Sequence, residues 1–213
     1  MPGDRGPLAL VIPAKSLDLA KSRLDAPAAT RRAVALQLLR HSVRTALASE
    51  VVRSVSVVTA DPLLAGVAAG LGARVVTEPI VGDLNRALRL GREQARRTIG
   101  AEAVGFLMAD LPHLSAAALE ATFHAYRQHR STVFVPDIDG TGTTALIHSR
   151  RNRPTLHFGH ASAAAHLGEG YVPVAHDQPD IRRDLDTVAD ATAAIGERPH
   201  AALAASTQAE PLY

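Results

Sequence analysis

The sequence predicts an α/β protein built on a mostly parallel, twisted sheet with helices on both faces. Three observations carry that prediction. Short apolar runs alternate with helix-period segments over most of the chain, the pattern of βαβ units. The first run, LALVI at residues 8–12, is continuously apolar, as a strand buried on both faces must be. Breakers such as Pro13, Asp61-Pro62, Gly72 and Asp110-Leu111-Pro112 fall between the runs and not inside them.

The elements follow in order. LALVI (8–12) is strand one. The segment 30–49 has apolar residues at helical spacing, with Thr30 as its candidate N-cap. SVSVVT (54–59) is a strand, and Asp61-Pro62 opens a helix that Gly72 closes, Pro62 sitting at a first helical position. ARVVTE (73–78) is strand three, 83–97 a helix, and AVGFLM (103–108) the next strand. Ser115 caps a helix over 115–130, TVFVP (132–136) follows, and ALIH (145–148) is a further strand. A short Ala-rich helix near 162–167, a strand at YVPVA (171–175) and a helix over 186–196 complete the list. All of this makes one domain over 1–213, with a core at about 8–196 and a frayed tail at about 199–213. Residues 137–180 break the strand–helix rhythm with Pro, Gly, His and Arg, and are expected to form a lid or substrate elaboration.

Composition narrows the function. The chain has 213 residues, no Cys and a formal net charge of +2. Lack of Cys removes disulfides, thiolate nucleophiles and Cys-based zinc sites. Aromatic residues make up 3%, too few to interleave with the Arg pairs as a base-stacking surface, so no nucleic-acid partner is expected. No apolar stretch is long enough to span a bilayer and the first residues lack a signal-peptide layout, so no membrane partner is expected and the default localisation is cytoplasmic. A two-fold homodimer is the default assembly.

In open α/β sheets the ligand crevice lies beyond the carboxyl ends of the strands, so polar residues just after a strand are the candidates. Asp110 directly follows a buried-type strand; alone it reads as a turn former. Asp184 and Asp186 are two apart, which in extended backbone puts both carboxylates on one face, where they repel unless a cation or a proton lies between them. Asp186 can also be read as the N-cap of the last helix. Together the three Asp supply hard oxygen ligands suited to Mg²⁺ or Mn²⁺ and to substrate phosphates. That set explains why Lys15, Lys21 and Arg23 crowd the loop after strand one, as the cationic side of a triphosphate site. The glycines at 140 and 142, with Thr143 after them, would let backbone N–H groups and hydroxyls approach an anion. Gly159 and Ser162 open the short helix, whose N-terminus is expected to favour an anion, with Ser162 its N-cap. His157, His160 and His166 show no metal-ligand spacing and are expected on the surface or behind the site, His160 as a substrate neighbour.

The motifs PAKSLDLAKSRL (13–24), MADLPHLS (108–115), DGTGTTAL (139–146), FGHAS (158–162) and RRDLDT (182–187) stand in the order seen in the phosphoenolpyruvate or 2-phospho-L-lactate guanylyltransferases of coenzyme F420 biosynthesis, which the chain resembles over roughly 8–196. The resemblance implies a Rossmann-like nucleotidyltransferase domain. It implies transfer of GMP from GTP to the phosphate of a small phospho-carboxylic acid, with release of pyrophosphate. It puts the metal on Asp110, Asp184 and Asp186, and the acid on Thr143, Gly159 and Ser162, with Thr144 the alternative to Thr143. GTP falls to Lys15, Lys21 and Arg23, and the chemical step to Lys15, Lys21 and Asp110. Ala109 departs from the Gly usual before the metal Asp. Phosphoenolpyruvate, 2-phospho-L-lactate and 3-phospho-D-glycerate all remain open as the acid.

The alternatives are a nucleotidylyltransferase for sugar phosphates or a molybdenum-cofactor precursor, a glycosyltransferase with an Asp-x-Asp metal site, and a non-catalytic nucleotide-binding module. The first usually has a Gly-rich loop after strand one, which PAKSLDLAKSRL lacks. The second places its Asp-x-Asp centrally. The third leaves three carboxylates at strand ends unexplained.

Overall fold

The computed structural model describes residues 6–17, 26–79 and 82–185. In chain order the elements are β1 (Leu8–Pro13), α1 (Ala28–Ala48), β2 (Val52–Thr59), α2 (Pro62–Gly70), β3 (Arg74–Thr77), α3 (Leu84–Ala95), β4 (Ala103–Leu107), α4 (Ala116–His129), β5 (Val133–Pro136), β6 (Thr143–Ser149), α5 (Ser162–Gly168), β7 (Val172–Pro173) and α6 (Pro179–Arg182). The expected helix over 186–196, the tail, and Lys21, Arg23 and Asp186 lie outside the described residues.

Every residue of β1 is buried, which is what a continuous apolar run requires. Leu8, Leu10 and Ile12 face one core and Ala9 and Val11 the other, by the two-residue alternation of a strand. Each large side chain so buried stabilises the fold by roughly 1.5–3 kcal/mol relative to exposure. The strand order is β3-β2-β1-β4-β6-β5-β7. β1 pairs in parallel with β2 and β4, and β2 with β3, whereas β6 runs antiparallel to both its neighbours. α1, α2, α4 and α6 cover one face and α3 and α5 the other. The close seat of α3 depends on Gly91: a Cβ there would stand 2.3 Å from Val11 Cγ1 and 2.7 Å from Val58 Cγ2.

Helix starts follow their capping residues. Asp61 accepts from the Leu63 and Leu64 N–H groups, Asp83 from Arg86 N–H, and Ser115 from Ala118 N–H. Two cap expectations are corrected. α1 starts after Pro27, without a side-chain cap, so Thr30 lies inside its first turn. α5 starts after Ala161, at φ +54°, so Ser162 is its first residue and not its cap. The segment 137–180 contributes a full strand, β6, which begins at Thr143 and not at residue 145, and the four-residue α6 follows, which the sequence reading did not anticipate.

β1 is where the sheet's winding reverses: β2 and β3 extend to one side of it and β4 to the other. The carboxyl ends of β1 and β4 therefore open a crevice between them. Because β6 is antiparallel to β4, with Leu107 opposite Ala145, its first residue reaches that same edge.

Candidate active site

A cleft of about 600 Å³ opens at this edge, and Lys15, Asp110, Thr143, Gly159 and Asp184 all line it. Five residues from five parts of the sequence thus share one cavity. Lys15 follows β1 and is exposed, while Asp110 and Asp184 are half-buried.

The backbone around each charged residue is held. Ala14 N–H donates to Val58 O, and Leu17 N–H and Ser16 Oγ donate to the Asp61 carboxylate at 3.0 and 3.5 Å, which fixes the chain on both sides of Lys15. Burial pushes the Asp61 carboxyl up, but the bonds accepted from Leu17, Leu64, Leu63 and Ser16 outweigh it and hold the group below its ordinary range. Ser42 Oγ donates to Ala109 O at 3.2 Å, and Leu185 N–H donates to Asp110 O at 2.9 Å. The second bond ties the strand end carrying Asp110 to the segment carrying Asp184. Upstream, the Arg182 guanidinium donates to the carbonyls of Pro136, Asp137 and His176, clamping α6 beside the 137–142 loop.

Thr143 and Thr144 differ in their hydrogen bonding. Thr144 Oγ1 donates to Ile181 O at 2.6 Å, so its proton is committed to α6. Thr143 Oγ1 meets Ser162 Oγ at 3.1 Å and His166 Nδ1 at 3.0 Å. Ser162 is fully buried behind Thr143 and is not part of the cleft lining.

Two expectations about anion-binding amides are corrected. The Thr141 and Gly142 N–H groups donate to the Asp137 carboxylate at 2.8 and 2.7 Å, so the loop satisfies itself. The Ser162 and Ala163 N–H groups donate to Gly159 O and Thr141 O, so the start of α5 is likewise used internally. The cleft is lined both by the 137–142 loop, at Asp137, Asp139, Thr141 and Gly142, and by the 159–161 turn, with His160 in it. Gly159 sits at φ +124°, and the preceding Phe158 is gripped through its N–H and C=O by the Asn85 amide at 2.9 Å each way. Asn85 and Asp61 escaped the sequence reading as site supports; both sit in the first turn or cap of a helix, where a capping reading suffices.

Among the described residues no three His, Asp or Glu side chains form a group able to hold a metal ion. Of the expected carboxylates, Asp110 and Asp184 are among the described residues, and both line the cleft. Among those residues no helix is long and apolar enough to cross a membrane.

Residues 22–162 match the MobA-like NTP transferase domain. A putative nucleotide-diphospho-sugar transferase from Desulfovibrio desulfuricans G20 superposes with a TM-score of 0.65 at 13% identity, over 85% of this chain and 83% of that one. Fold and domain match together define a nucleotidyltransferase, acting on a nucleotide and a small molecule. The chain is 40% identical over 205 residues to a phosphoenolpyruvate guanylyltransferase from Salinispora arenicola, covering 94% of both proteins. It is 40% identical over 189 residues to the phosphoenolpyruvate guanylyltransferase of Streptosporangium roseum, covering 87% of this chain and 84% of that protein. The chain belongs to the phosphoenolpyruvate guanylyltransferase family.

Proposed function

We propose that the protein transfers GMP from GTP to the phosphate of phosphoenolpyruvate, releasing pyrophosphate, as a step of coenzyme F420 biosynthesis. The observation that carries the choice of substrates is the 40% identity to phosphoenolpyruvate guanylyltransferase over 94% of both chains. In the reaction a phosphate oxygen of the acid attacks the α-phosphorus of GTP. The bond from that phosphorus to the bridging oxygen breaks, and pyrophosphate leaves with the electron pair.

Each residue has a part. Lys15 places positive charge at the end of β1, where phosphate charge grows as pyrophosphate departs, with Lys21 and Arg23 assigned to the same triphosphate. Asp110 and Asp184, with Asp186, would hold Mg²⁺ or Mn²⁺. Two half-buried carboxylates in one cleft, their backbones tied by the Leu185–Asp110 bond, suit that role. Bound there, the ion would supply Lewis-acid charge neutralisation at the phosphates. The carboxylate of the acid is assigned to Thr143 and the 159–161 turn, so that it does not compete with the phosphates for the cation. Residues 137–161 would form the rim over the small acid.

The test is direct. With Mg²⁺ and GTP, phosphoenolpyruvate should yield a product with the mass of the GMP–phosphoenolpyruvate adduct and one equivalent of pyrophosphate, followed by mass spectrometry and a pyrophosphate assay. Pyrophosphate release with a sugar phosphate, and none with phosphoenolpyruvate, 2-phospho-L-lactate or 3-phospho-D-glycerate, would overturn the reading.

A further inference from the structure

His166 is fully buried although it is polar, and nothing assigned so far uses it. Its ring is enclosed by Phe134, Phe158, Tyr171 and His157, with centroids 5.4–5.8 Å away. Both ring nitrogens are bonded. Nε2 accepts from the His157 backbone N–H at 3.2 Å, and Nδ1 meets Thr143 Oγ1 at 3.0 Å.

A backbone N–H can only donate, so Nε2 must be the unprotonated nitrogen. A neutral imidazole then carries its proton on Nδ1, which donates to Thr143 Oγ1. Burial, with His157 adding to it and Glu169 opposing, pulls His166 down to about 4, so the ring is neutral near pH 7. Ser162 Oγ donates to the same threonine oxygen. With two donors on its lone pairs, the Thr143 hydroxyl has only its own proton left to give. Among the described residues no acceptor takes that proton, and Thr143 lines the cleft.

We propose that His166 is a positioning residue which, with Ser162, turns the Thr143 hydroxyl into an obligate donor toward the carboxylate of the small acid. The proposal rests on the reading that Thr143 belongs to the acid site. It also changes the part given to Ser162, which acts on the acid through Thr143. A hydroxyl free to rotate could offer a lone pair to the carboxylate and repel it; one locked as a donor cannot. The site thereby selects an anion at this position without adding a formal charge near the carboxylates of Asp110 and Asp184.

The test combines kinetics with a readout independent of activity. ¹⁵N NMR of the full-length protein should show His166 Nδ1 as the protonated, pyrrole-type nitrogen and Nε2 as the pyridine-type one. His166→Phe should raise the KM for phosphoenolpyruvate about tenfold, the loss of one hydrogen-bonded arrangement to a charged group, and leave the KM for GTP within about twofold. His166→Asn, whose amide can present an N–H near the Nδ1 position, should recover most of that loss, and His166→Gln should not. In a Thr143→Val background His166→Phe should add no further rise. Should His166→Phe fail to fold, the Asn and Gln variants carry the same comparison. The opposite tautomer, equal loss for Asn and Gln, a matching rise in both KM values, or full additivity with Thr143→Val would each overturn the relay. If Thr143→Val alone leaves the KM for the acid unchanged, the acid-site reading falls and the relay with it. If Thr143→Val raises that KM while His166→Phe does not, only the relay falls.

Discussion

The wall of the cleft formed by the ends of β1 and β4 and by Asp184 presents charged side chains, Lys15, Asp110 and Asp184, that are half-buried or exposed. The wall formed by the start of β6 presents Thr143, backed from behind by Ser162 and His166 of α5, which are uncharged and fully buried. Both are held rigidly, but by different means. On the charged side the bonds hold the backbone, at Ala109, Asp110 and Leu17. On the neutral side the side chains themselves are bonded to one another. The difference fits the chemistry proposed for each: phosphates whose charge shifts during reaction need counter-charge, whereas a spectator carboxylate needs only donors in fixed directions.

The largest effect should come from breaking the charged wall. Asp110→Asn and Asp184→Asn each remove a negative charge proposed to hold the cation while keeping shape, and kcat should fall at least about a hundredfold, with the melting temperature nearly unchanged. A folded variant with wild-type turnover would remove that carboxylate from the reaction.

A smaller effect is expected at the turn beside the neutral wall. Gly159 has φ +124°, and a Cβ there would meet no protein atom within 4 Å, so the harm in Gly159→Val comes from backbone strain and not from a clash within the fold. That strain is about 1–3 kcal/mol, or roughly 2–12 °C in Tm for a chain of this size. Thermal unfolding measures it, and the KM for the acid should rise beside it. An unchanged Tm would mean the turn relaxes freely.

The smallest concerns Asp61, which supports the charged wall from behind. Asp61→Ala removes the α2 cap and the anchor of Leu17, and should cost about 1 kcal/mol in denaturant unfolding at neutral pH. Because the folded-state carboxyl is held below its ordinary 3.8, its contribution is fully present above that value and is lost as pH falls through the lower folded value. The gap between wild type and variant should therefore close on acidification below about pH 4. A gap that widens in acid would contradict the assignment.

The charged wall was far more legible in the sequence than the neutral one. Asp110 follows an apolar run and Asp184 belongs to a spaced pair, so strand position and carboxylate chemistry expose both. The neutral wall depends on a bulge that no periodicity shows. Val135 pairs with Ala145, but Pro136 pairs with Thr143, so β6 carries one extra residue, Thr144, against β5. That bulge lets Thr144 reach Ile181 in the core of one face while Thr143 reaches His166 on the other. Strict alternation counted back from Ala145 would send the two threonines to the opposite faces. The antiparallel sense of β6 was equally hidden, since strand direction is set by which edge the connection reaches. For His166, spacing argued against a metal ligand, but its Thr143 partner lies 23 residues away and becomes visible only once α5 is folded onto the sheet.

The division of the cleft is tested most directly by measuring the KM for GTP and for phosphoenolpyruvate in Lys15→Ala and Thr143→Val side by side. Lys15→Ala should raise the KM for GTP about tenfold and that for the acid little, and Thr143→Val should do the reverse, each losing one interaction with a charged group. If both variants weaken both substrates equally, the two walls do not serve different substrates and the account is wrong.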